Sequence, residues 1–281
     1  MLTRLRAVVA AALGHEPAPA ERPAFEHGPA LVGGMPSAQQ AVDLFKGEWI
    51  SGFPAAGPPL LAGAMPLFDD PRVLWALERL GGVSGQRVLE LGPLEGGHSY
   101  IAQQQGAREV IAIEGNARAF MKCLIAKEVL GLDRVHYLLG DFITYMRDSG
   151  EQFDTCFANG VLYHMTEPAM VVHLMARVAR RAVIWTHYYD AQRVPGSGSA
   201  QRFAGASSAE FEGFRYTQHR FEYGHLLQQA TFAGGLVPHA HWMTRDDLLA
   251  CLRHAGFTSI EIGTEEPDHP VGPCFTLAVS R

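Results

Sequence analysis

The sequence predicts an α/β fold built on a doubly wound parallel sheet. Between residues 87 and 189, short apolar runs of strand length alternate with longer amphipathic runs of helix length. Such regular alternation is typical of βαβ units, which form parallel sheets. Two more strand-like runs, TSIEIGTEE and CFTLAVSR, close the chain. The linker between them is short enough to join antiparallel neighbours.

Five strands are expected in the parallel part of the sheet. In chain order their sequences are RVLEL, EVIAIEGN, RVHYLLGD, FDTCFANGVLYH and RAVIWTHYY. The helices expected around them are PRVLWALERLGGV, SYIAQQQG, ARAFMKCLIAKEVLG, FITYMRD and PAMVVHLMARVA. The first of these helices follows Asp69-Asp70-Pro71, a helix-start signal, and the third ends at Gly131. A last helix, RDDLLACLRHAGF, is capped by Thr244 and precedes the closing strands.

The N-terminal segment reads as an arm in front of this domain. Its first twenty residues faintly resemble a secretory signal, but an amphipathic helix is favoured because four apolar residues fit one helical face. These residues are Leu2, Leu5, Val9 and Leu13. Residues 17–36 are rich in Pro, Gly and Ala and indicate a linker, and residues 38–49 indicate a helix. No stretch approaches the roughly 20 apolar residues of a membrane span.

The expected division of the chain is an arm with helices over residues 1–70 and a ligand-binding domain over residues 71–281. Residues 190–243 break the alternation and indicate a cap inserted after the fifth strand. The cap is rich in aromatic residues, namely Phe211, Phe214, Tyr216, Phe221 and Tyr223, and it also carries Arg215 and Arg220. Two interpretations stay open: a lid that contacts the substrate, or a small helical cap whose aromatic residues form its own core.

Composition narrows the class of protein. The formal net charge is −6, which argues against a dedicated nucleic-acid binder. The cysteines, Cys123, Cys156, Cys251 and Cys274, lie far apart and show no CxxC or metal-finger spacing. A reduced cytoplasmic protein is therefore expected.

The stretch RVLELGPLEGGHSY, residues 87–100, carries the main functional signal. It runs from a strand through a glycine turn into a helix, which is where an open α/β sheet binds its ligand. A turn that binds pyrophosphate is expected to be free of negative charge, because the helix N-terminus must hold an anion. Glu90 and Glu95 both argue against that ligand, and a cationic one such as the sulfonium S-adenosylmethionine (SAM) suits them better.

From about Arg87 to Tyr189 the chain resembles class I SAM-dependent methyltransferases. Their acidic-x-Gly-x-Gly-x-Gly motif matches with Glu90, Gly92 and Gly96 in register, while Leu94 replaces the central glycine. The resemblance implies a Rossmann-like sheet of seven strands with an antiparallel last strand, and SAM as cofactor. It also implies that Glu114 accepts the ribose hydroxyls and that Asp141 and Phe142 contact the adenine. The full set of cofactor-binding residues expected is Glu90, Gly92, Pro93, Gly96, Glu114, Gly115, Asp141, Phe142, Asn159 and Gly160.

Candidate catalytic residues follow the fourth and fifth strands, where methyl donor and acceptor would meet. His164 and His187 rank first as general bases, because the ordinary pKa of histidine is about 6.5; Tyr163 and His225 complete the set. The metal-dependent variant of the family would need carboxylates after these strands. The chain has Asn159 and His187 there, so no catalytic metal is expected.

The predicted substrate is a small molecule that is methylated on an oxygen or nitrogen atom. Two segments, FDTCFANGVLYH and HWMTRDDLLACLRHAGF, also resemble the branch with the tRNA wobble-uridine carboxymethyltransferase. An RNA-modifying enzyme is therefore one alternative, although residues 190–243 balance four arginines with four acidic residues. A non-catalytic protein that binds SAM or a partner is another. The sequence leaves open whether the arm covers the site or a partner subunit in a homodimer.

Overall fold

A computed structural model describes residues 32–55, 59–229, 231 and 234–281. The helix expected around Leu2, Leu5, Val9 and Leu13 lies outside the described residues. The helix expected over residues 38–49 is shorter in the structure: α1 spans Ala38–Val42 and continues as a 3₁₀ turn over Asp43–Phe45. Among the described residues, every helix is too short or too polar to cross a lipid bilayer.

The main sheet has the seven strands that were predicted. In chain order they are β1 (Arg87–Leu91), β2 (Glu109–Glu114), β3 (Val135–Leu139), β4 (Phe153–Asn159), β5 (Ala179–His187), β9 (Ser259–Glu266) and β10 (Cys274–Ser280), with β6 to β8 in the insert. Their order across the sheet is β3-β2-β1-β4-β5-β10-β9. Strands β1 to β5 are parallel, and β10 is antiparallel to both of its neighbours.

The direction of winding reverses between β1 and β4. In an open α/β sheet the ligand crevice lies outside the carboxyl ends of the strands at such a switch point. A ligand-binding site is therefore expected among the residues that follow Leu91, Glu114, Leu139, Asn159 and His187.

Helices cover both faces of the sheet and bury a core on each. One face carries α2 (Pro71–Arg79), α3 (Gly97–Gln104) and α4 (Ala117–Leu130). The other carries α5 (Phe142–Asp148), α6 (Pro168–Val178) and α7 (Arg245–His254). Capping residues fix where several of them begin: the side chains of Asp70, Asn116, Asp141 and Thr244 each accept a backbone N–H of the first helical turn.

The insert after β5 forms a second, antiparallel sheet. The prediction that it would be helical is therefore wrong. Its strands are β6 (Phe203–Phe211), β7 (Phe214–Glu222) and β8 (His239–Met243). They pair in the order β6-β7-β8. Two of the five aromatic residues, Phe221 and Tyr223, form a separate buried core with Ala240 and Trp242, whereas Phe211, Phe214 and Tyr216 pack on the main core.

The small sheet sits next to the loop that follows β4. The His241 N–H donates to the Met165 carbonyl at 2.8 Å, and His241 Nδ1 lies 2.7 Å from the Thr166 carbonyl oxygen. The Tyr189 N–H donates to the Met243 carbonyl at 2.8 Å, which fastens the end of β5 to the end of β8. The insert therefore flanks the carboxyl ends of β4 and β5.

Candidate functional site

The loop after β1 adopts the conformation that its glycine pattern predicts. Gly92 and Gly96 have φ angles of 60° and 85°, in the left-handed region that favours glycine. Leu94, which replaces the central glycine of the motif, also lies there, with a φ of 58°. The substitution therefore keeps the local backbone path and adds strain, since a non-glycine residue is disfavoured in this region.

Glu114 ties this loop to the end of β2. Its carboxylate accepts the Leu94 N–H at 3.0 Å and the Asn116 N–H at 2.8 Å. Burial raises the pKa of Glu114, although these backbone hydrogen bonds oppose the rise. A carboxylate has about four lone-pair positions. Three backbone N–H groups, those of Leu94, Asn116 and Gly115, act on this carboxylate, which leaves acceptor capacity for a hydroxyl of a ligand.

Glu90 is buried at the base of the same loop. The Ser99 hydroxyl donates to Glu90 Oε2, and His98 Nδ1 lies 3.7 Å from Glu90 Oε1. Oε1 has no hydrogen-bond partner among the described residues. Burial raises the pKa of Glu90, and His98 opposes that shift. The carboxylate is thus held at the start of α3 with one oxygen left to pair.

Glu95 is paired inside the protein, so the expectation that its charge disfavours an anionic ligand is wrong. Its carboxylate accepts the N–H groups of Ile50 and Ser51 at 3.0 and 2.7 Å. It also forms a 2.6 Å ion pair with Lys122 of α4, whose Nζ donates to the Glu48 carbonyl at 3.0 Å. The negative charge is neutralised inside the protein, where it fixes residues 48–51 against the loop.

Residues following β2, β3 and β4 surround the same crevice. Asp141 caps α5, accepting the Ile143 N–H at 2.9 Å and the Thr144 hydroxyl at 2.8 Å, and Phe142 packs against the main core. The Asn159 side-chain amide is buried at the end of β4, and neither its oxygen nor its nitrogen has a partner among the described residues. An unpaired buried amide is costly, so this group is available to a ligand.

The insert reaches over this crevice. A Cβ atom on Gly115 would lie 3.0 Å from Leu236 Cδ2, and a Cβ atom on Gly235 would lie 2.4 Å from the His164 carbonyl oxygen. The Gly235 N–H donates to Tyr223 Oη at 3.2 Å. The segment around Leu236 therefore packs against both the β2 end and the β4 end, which supports the interpretation of the insert as a lid.

Three of the four candidate catalytic residues lie together at the ends of β4 and β5. The Tyr163 ring centroid is 4.1 Å from that of His164 and 4.7 Å from that of His187. His164 Nδ1 lies 2.9 Å from Tyr223 Oη, and His187 stacks on Trp242 at 5.0 Å. The structure does not bring the fourth candidate, His225, into this cluster: its exposed ring lies beside Arg202, with 3.5 Å between Nε2 and Nη2.

Both clustered histidines are neutral at neutral pH. Burial, followed by the nearby His187, lowers the pKa of His164 to about 3. Burial lowers the pKa of His187 to about 4, against the opposing effect of its hydrogen bond to the Gly272 carbonyl. That bond, 2.8 Å from Nδ1, identifies Nδ1 as the protonated nitrogen, because a carbonyl oxygen only accepts. His187 Nε2 therefore carries a lone pair.

Several residues of the site were not identified from the sequence. His98 Nε2 lies 3.2 Å from Asp70 Oδ2, and Arg72 holds the same carboxylate through Nη2 at 2.7 Å. Burial raises the pKa of Asp70, but the hydrogen bonds from His98 and Arg72 outweigh burial and hold that pKa well below its usual range. Arg72 also lies 4.5 Å over the Trp185 ring. His98 follows the glycine turn directly and could have been suspected; no sequence signal distinguishes Arg72.

Comparisons with known proteins agree with this geometry. The model of a family described as a methyltransferase domain matches residues 83–230. The crystal structure of the N-terminal domain of EvdMO1 with SAH bound is 26% identical, with a TM-score of 0.64, and the match covers 87% of this chain and 93% of that one. A second crystal structure of that domain, in the presence of SAH and D-fucose, is 25% identical, with a TM-score of 0.63 and the same coverage.

Two curated relatives match over shorter segments. The tRNA U34 carboxymethyltransferase of Campylobacter hominis is 29% identical over 86 residues, which are 31% of this chain and 30% of that protein. The enzyme of the same name from Psychrobacter arcticus is 30% identical over 119 residues, which are 37% of this chain and 34% of that protein. The chain thus spans about a third of the length of these relatives.

Proposed function

We propose that this chain, which belongs to the methyltransferase domain family, uses SAM to methylate an oxygen or nitrogen atom of a small molecule. The observation that carries the proposal is the cluster of Tyr163, Trp185, His187 and Trp242 at the ends of β4 and β5. Such an aromatic wall suits the apolar face of a compact acceptor, and the cation beside it, Arg72, is already paired with Asp70 and so is a poor contact for a nucleic-acid backbone.

The donor is proposed to bind along the carboxyl ends of β1 to β4. Glu114 would accept the ribose hydroxyls with the acceptor capacity that remains after its backbone hydrogen bonds. Asp141 and Phe142 would contact the adenine, and Gly115 would allow close approach. Gly92, Pro93 and Gly96 would shape the turn around the methionine portion, near the unpaired Oε1 of Glu90. Asn159 and Gly160 would stand between the donor and the acceptor.

The chemical demands of the reaction fit the enclosure of the site. Methyl transfer from a sulfonium is an in-line displacement by an already activated donor, so the protein mainly aligns the acceptor and excludes water. The buried ring of Tyr163 and the lone pair on His187 Nε2 are proposed to orient an acceptor hydroxyl or amine. His164, which is tied to Tyr223, is proposed to support Tyr163. His225 is exposed and is the weakest of the catalytic candidates.

Sugars are the first acceptor class to test. The related EvdMO1 domain was crystallised in the presence of SAH and D-fucose, and that match extends over most of both chains. Aromatic rings also pack well against the apolar faces of sugar rings. An acceptor of this kind would present several hydroxyls to the Tyr163 and His187 side of the crevice.

A tRNA acceptor is the second candidate, because the two curated relatives modify tRNA by name. The arginines on the surface of the insert give little support to a tRNA acceptor. Three of the insert's four arginines are in ion pairs: Arg193 with Asp268, Arg215 with Glu210, and Arg220 with Glu222. Binding to a polyanion requires cations that are free to replace counterions.

The experiment offers the full chain SAM together with pools of sugars, other hydroxylated or amine-bearing small molecules, and bulk tRNA, and measures S-adenosylhomocysteine release. We expect turnover with a small-molecule pool, and a methylated product identified by mass spectrometry. Turnover with tRNA alone would replace the proposal by its second candidate. Tight SAM binding without turnover in any pool would instead favour the non-catalytic alternative.

Replacing Glu114 by alanine is expected to weaken the binding of S-adenosylhomocysteine at least tenfold, or about 1.4 kcal/mol, measured by calorimetry. The variant loses the proposed acceptor of both ribose hydroxyls. Glu114→Gln is a second variant, since its amide oxygen still accepts a backbone N–H. Glu109→Ala at the opposite end of β2, where Glu109 pairs with Arg87, is the matched control. Equal affinity in all three folded variants would remove the ribose assignment.

A further inference from the structure

One cluster of metal-ligating side chains lies beside the aromatic wall. Among the residues that the structure describes, His187, His269 and Cys274 each offer a ligand atom, and these atoms all lie within 4.8 Å of one another. Two of them come from adjacent strands, because His187 of β5 and Cys274 of β10 are register partners. His269 comes from the loop between β9 and β10. The main sheet and its last connection therefore build the cluster together.

The orientation of His187 is already that of a metal ligand. Its Nδ1–H donates to the Gly272 carbonyl at 2.8 Å, with the Pro273 carbonyl 3.2 Å away. Metal-binding histidines usually donate their other ring N–H to a carbonyl or carboxylate, which fixes the tautomer and the ring orientation. Stacking on Trp242, with 10° between the ring planes, fixes the ring further. Nε2 is thereby presented as a free donor atom.

We propose that His187, His269 and Cys274 bind a zinc-class divalent metal ion next to the acceptor side of the crevice. A thiolate and two imidazoles select borderline-soft ions such as Zn²⁺ or Co²⁺ over Mg²⁺ and Ca²⁺. Three protein ligands also leave one position of a tetrahedral ion open, which is the arrangement of catalytic rather than structural zinc sites.

The surroundings of the cluster can carry the added charge. Arg72, a cation that acts on both His187 and Cys274, is held by hydrogen bonds from Nε and Nη2 to the Asp70 carboxylate. Glu266 of β9 is the register partner of Cys274 on its other side and adds a negative charge there. Burial raises the pKa of the Cys274 thiol, Glu266 raises it further, and the Trp185 indole lowers it, so the thiol would release its proton on binding the ion.

Metal binding requires one local adjustment. Ligand atoms around a tetrahedral Zn²⁺ lie about 3.3–3.8 Å apart, given bonds of about 2.0–2.3 Å, so the cluster, whose ligand atoms lie within 4.8 Å of one another, contracts by at most about 1.5 Å. His269 is the member that can move, because it lies in a loop and is partly exposed. Its Nδ1 accepts the Val271 N–H at 3.2 Å, a long hydrogen bond that the metal would displace.

This site differs from the carboxylate-ligated metal site whose absence was expected from Asn159 and His187. The metal could receive an acceptor hydroxyl in its open position and lower the pKa of that hydroxyl, as metal ions do for bound water. With the ion bound, His187 Nε2 would coordinate it and would not contact the acceptor directly, so the open position of the ion would take over that role. This catalytic consequence rests on the proposed function, whereas binding of the ion does not.

The test titrates Co²⁺ into chelator-treated full-length protein and records the absorption spectrum. We expect intense d–d bands of a tetrahedral site, a thiolate-to-cobalt charge-transfer band, saturation at one equivalent, and loss of all bands on adding Zn²⁺. Cys274→Ser should abolish the charge-transfer band, and His269→Ala should weaken Co²⁺ binding at least tenfold. Both variants are checked for folding by calorimetry with S-adenosylhomocysteine.

Cys251→Ser is the matched control, because Cys251 is also a buried thiol beside a histidine, with Sγ 4.0 Å from His173 Nδ1. It should leave the Co²⁺ spectrum unchanged. An octahedral spectrum without a charge-transfer band, or a band that survives in folded Cys274→Ser protein, would overturn the proposal. Metal binding without turnover in any substrate pool would remove the small-molecule function and keep the site. Undiminished turnover in a protein that binds no Co²⁺ would remove the metal site and keep the small-molecule function.

Discussion

Glu95→Gln is expected to lower the free energy of unfolding by about 3–5 kcal/mol, the usual effect of removing one partner of a buried ion pair. Glu95 and Lys122 are only 1% and 3% exposed, so the variant leaves the Lys122 ammonium buried without its counter-charge. It also weakens the acceptor for the Ile50 and Ser51 N–H groups. Urea denaturation followed by circular dichroism measures the change.

Two further variants make this result specific. Glu128→Gln removes an exposed carboxylate from the same helix, α4, and should change the free energy of unfolding by less than about 0.5 kcal/mol. A Glu95→Gln, Lys122→Met double variant should recover most of the loss, since it removes the unpaired charge as well. The interpretation of Glu95 as an internal anchor fails if Glu95→Gln is as stable as the control.

Gly96→Ala is expected to lower the free energy of unfolding by about 2–5 kcal/mol. The φ angle of 85° costs a residue with a Cβ atom about 1–2 kcal/mol. That Cβ would lie 2.3 Å from Tyr137 Oη, and overpacking of this kind costs about 1–3 kcal/mol more. Because Gly96 begins α3 beside Glu90, we also expect weaker binding of S-adenosylhomocysteine by calorimetry.

The two contributions can be separated. Gly131→Ala meets the same backbone strain at a φ of 62°, with no atom within 4 Å of the new Cβ, and should show only the smaller cost. Adding Tyr137→Phe to Gly96→Ala removes the hydroxyl and should restore part of the stability. If Gly96→Ala and Gly131→Ala were equally destabilising, the contact with Tyr137 would have no energetic role.

The strands and helices of the main sheet could be predicted because the local pattern of apolar residues and turns determines them. Strands such as RVLEL and EVIAIE are continuous apolar runs bounded by turns, and their parallel arrangement follows from the helices between them. The strands of the insert are harder to predict from the sequence, because the buried face of β7 changes along its length. Tyr216 packs on the main core and Phe221 on the core of the small sheet, so the period of two that identifies a strand is interrupted between them.

The site shows the same division between local and distant information. Carboxylates that end neighbouring strands, such as Glu114, could be predicted to face the crevice because parallel strands end at the same edge. The pairing of Glu95 with residues 44 and 45 positions earlier could not, since no local pattern marks it. The meeting of His187 with Cys274 likewise depends on the register of two strands that are far apart in the chain.

The attachment of residues 48–51 to the loop after β1 has a consequence for any shortened form of the protein. A fragment beginning at residue 71 would deprive Glu95 of two of its three donors and Lys122 of the Glu48 carbonyl. It would also remove Leu67, whose backbone closes over Gly97 at the start of α3. A shortened chain that keeps these contacts therefore starts at or before residue 48, and a later start leaves the loop after β1 without part of its support.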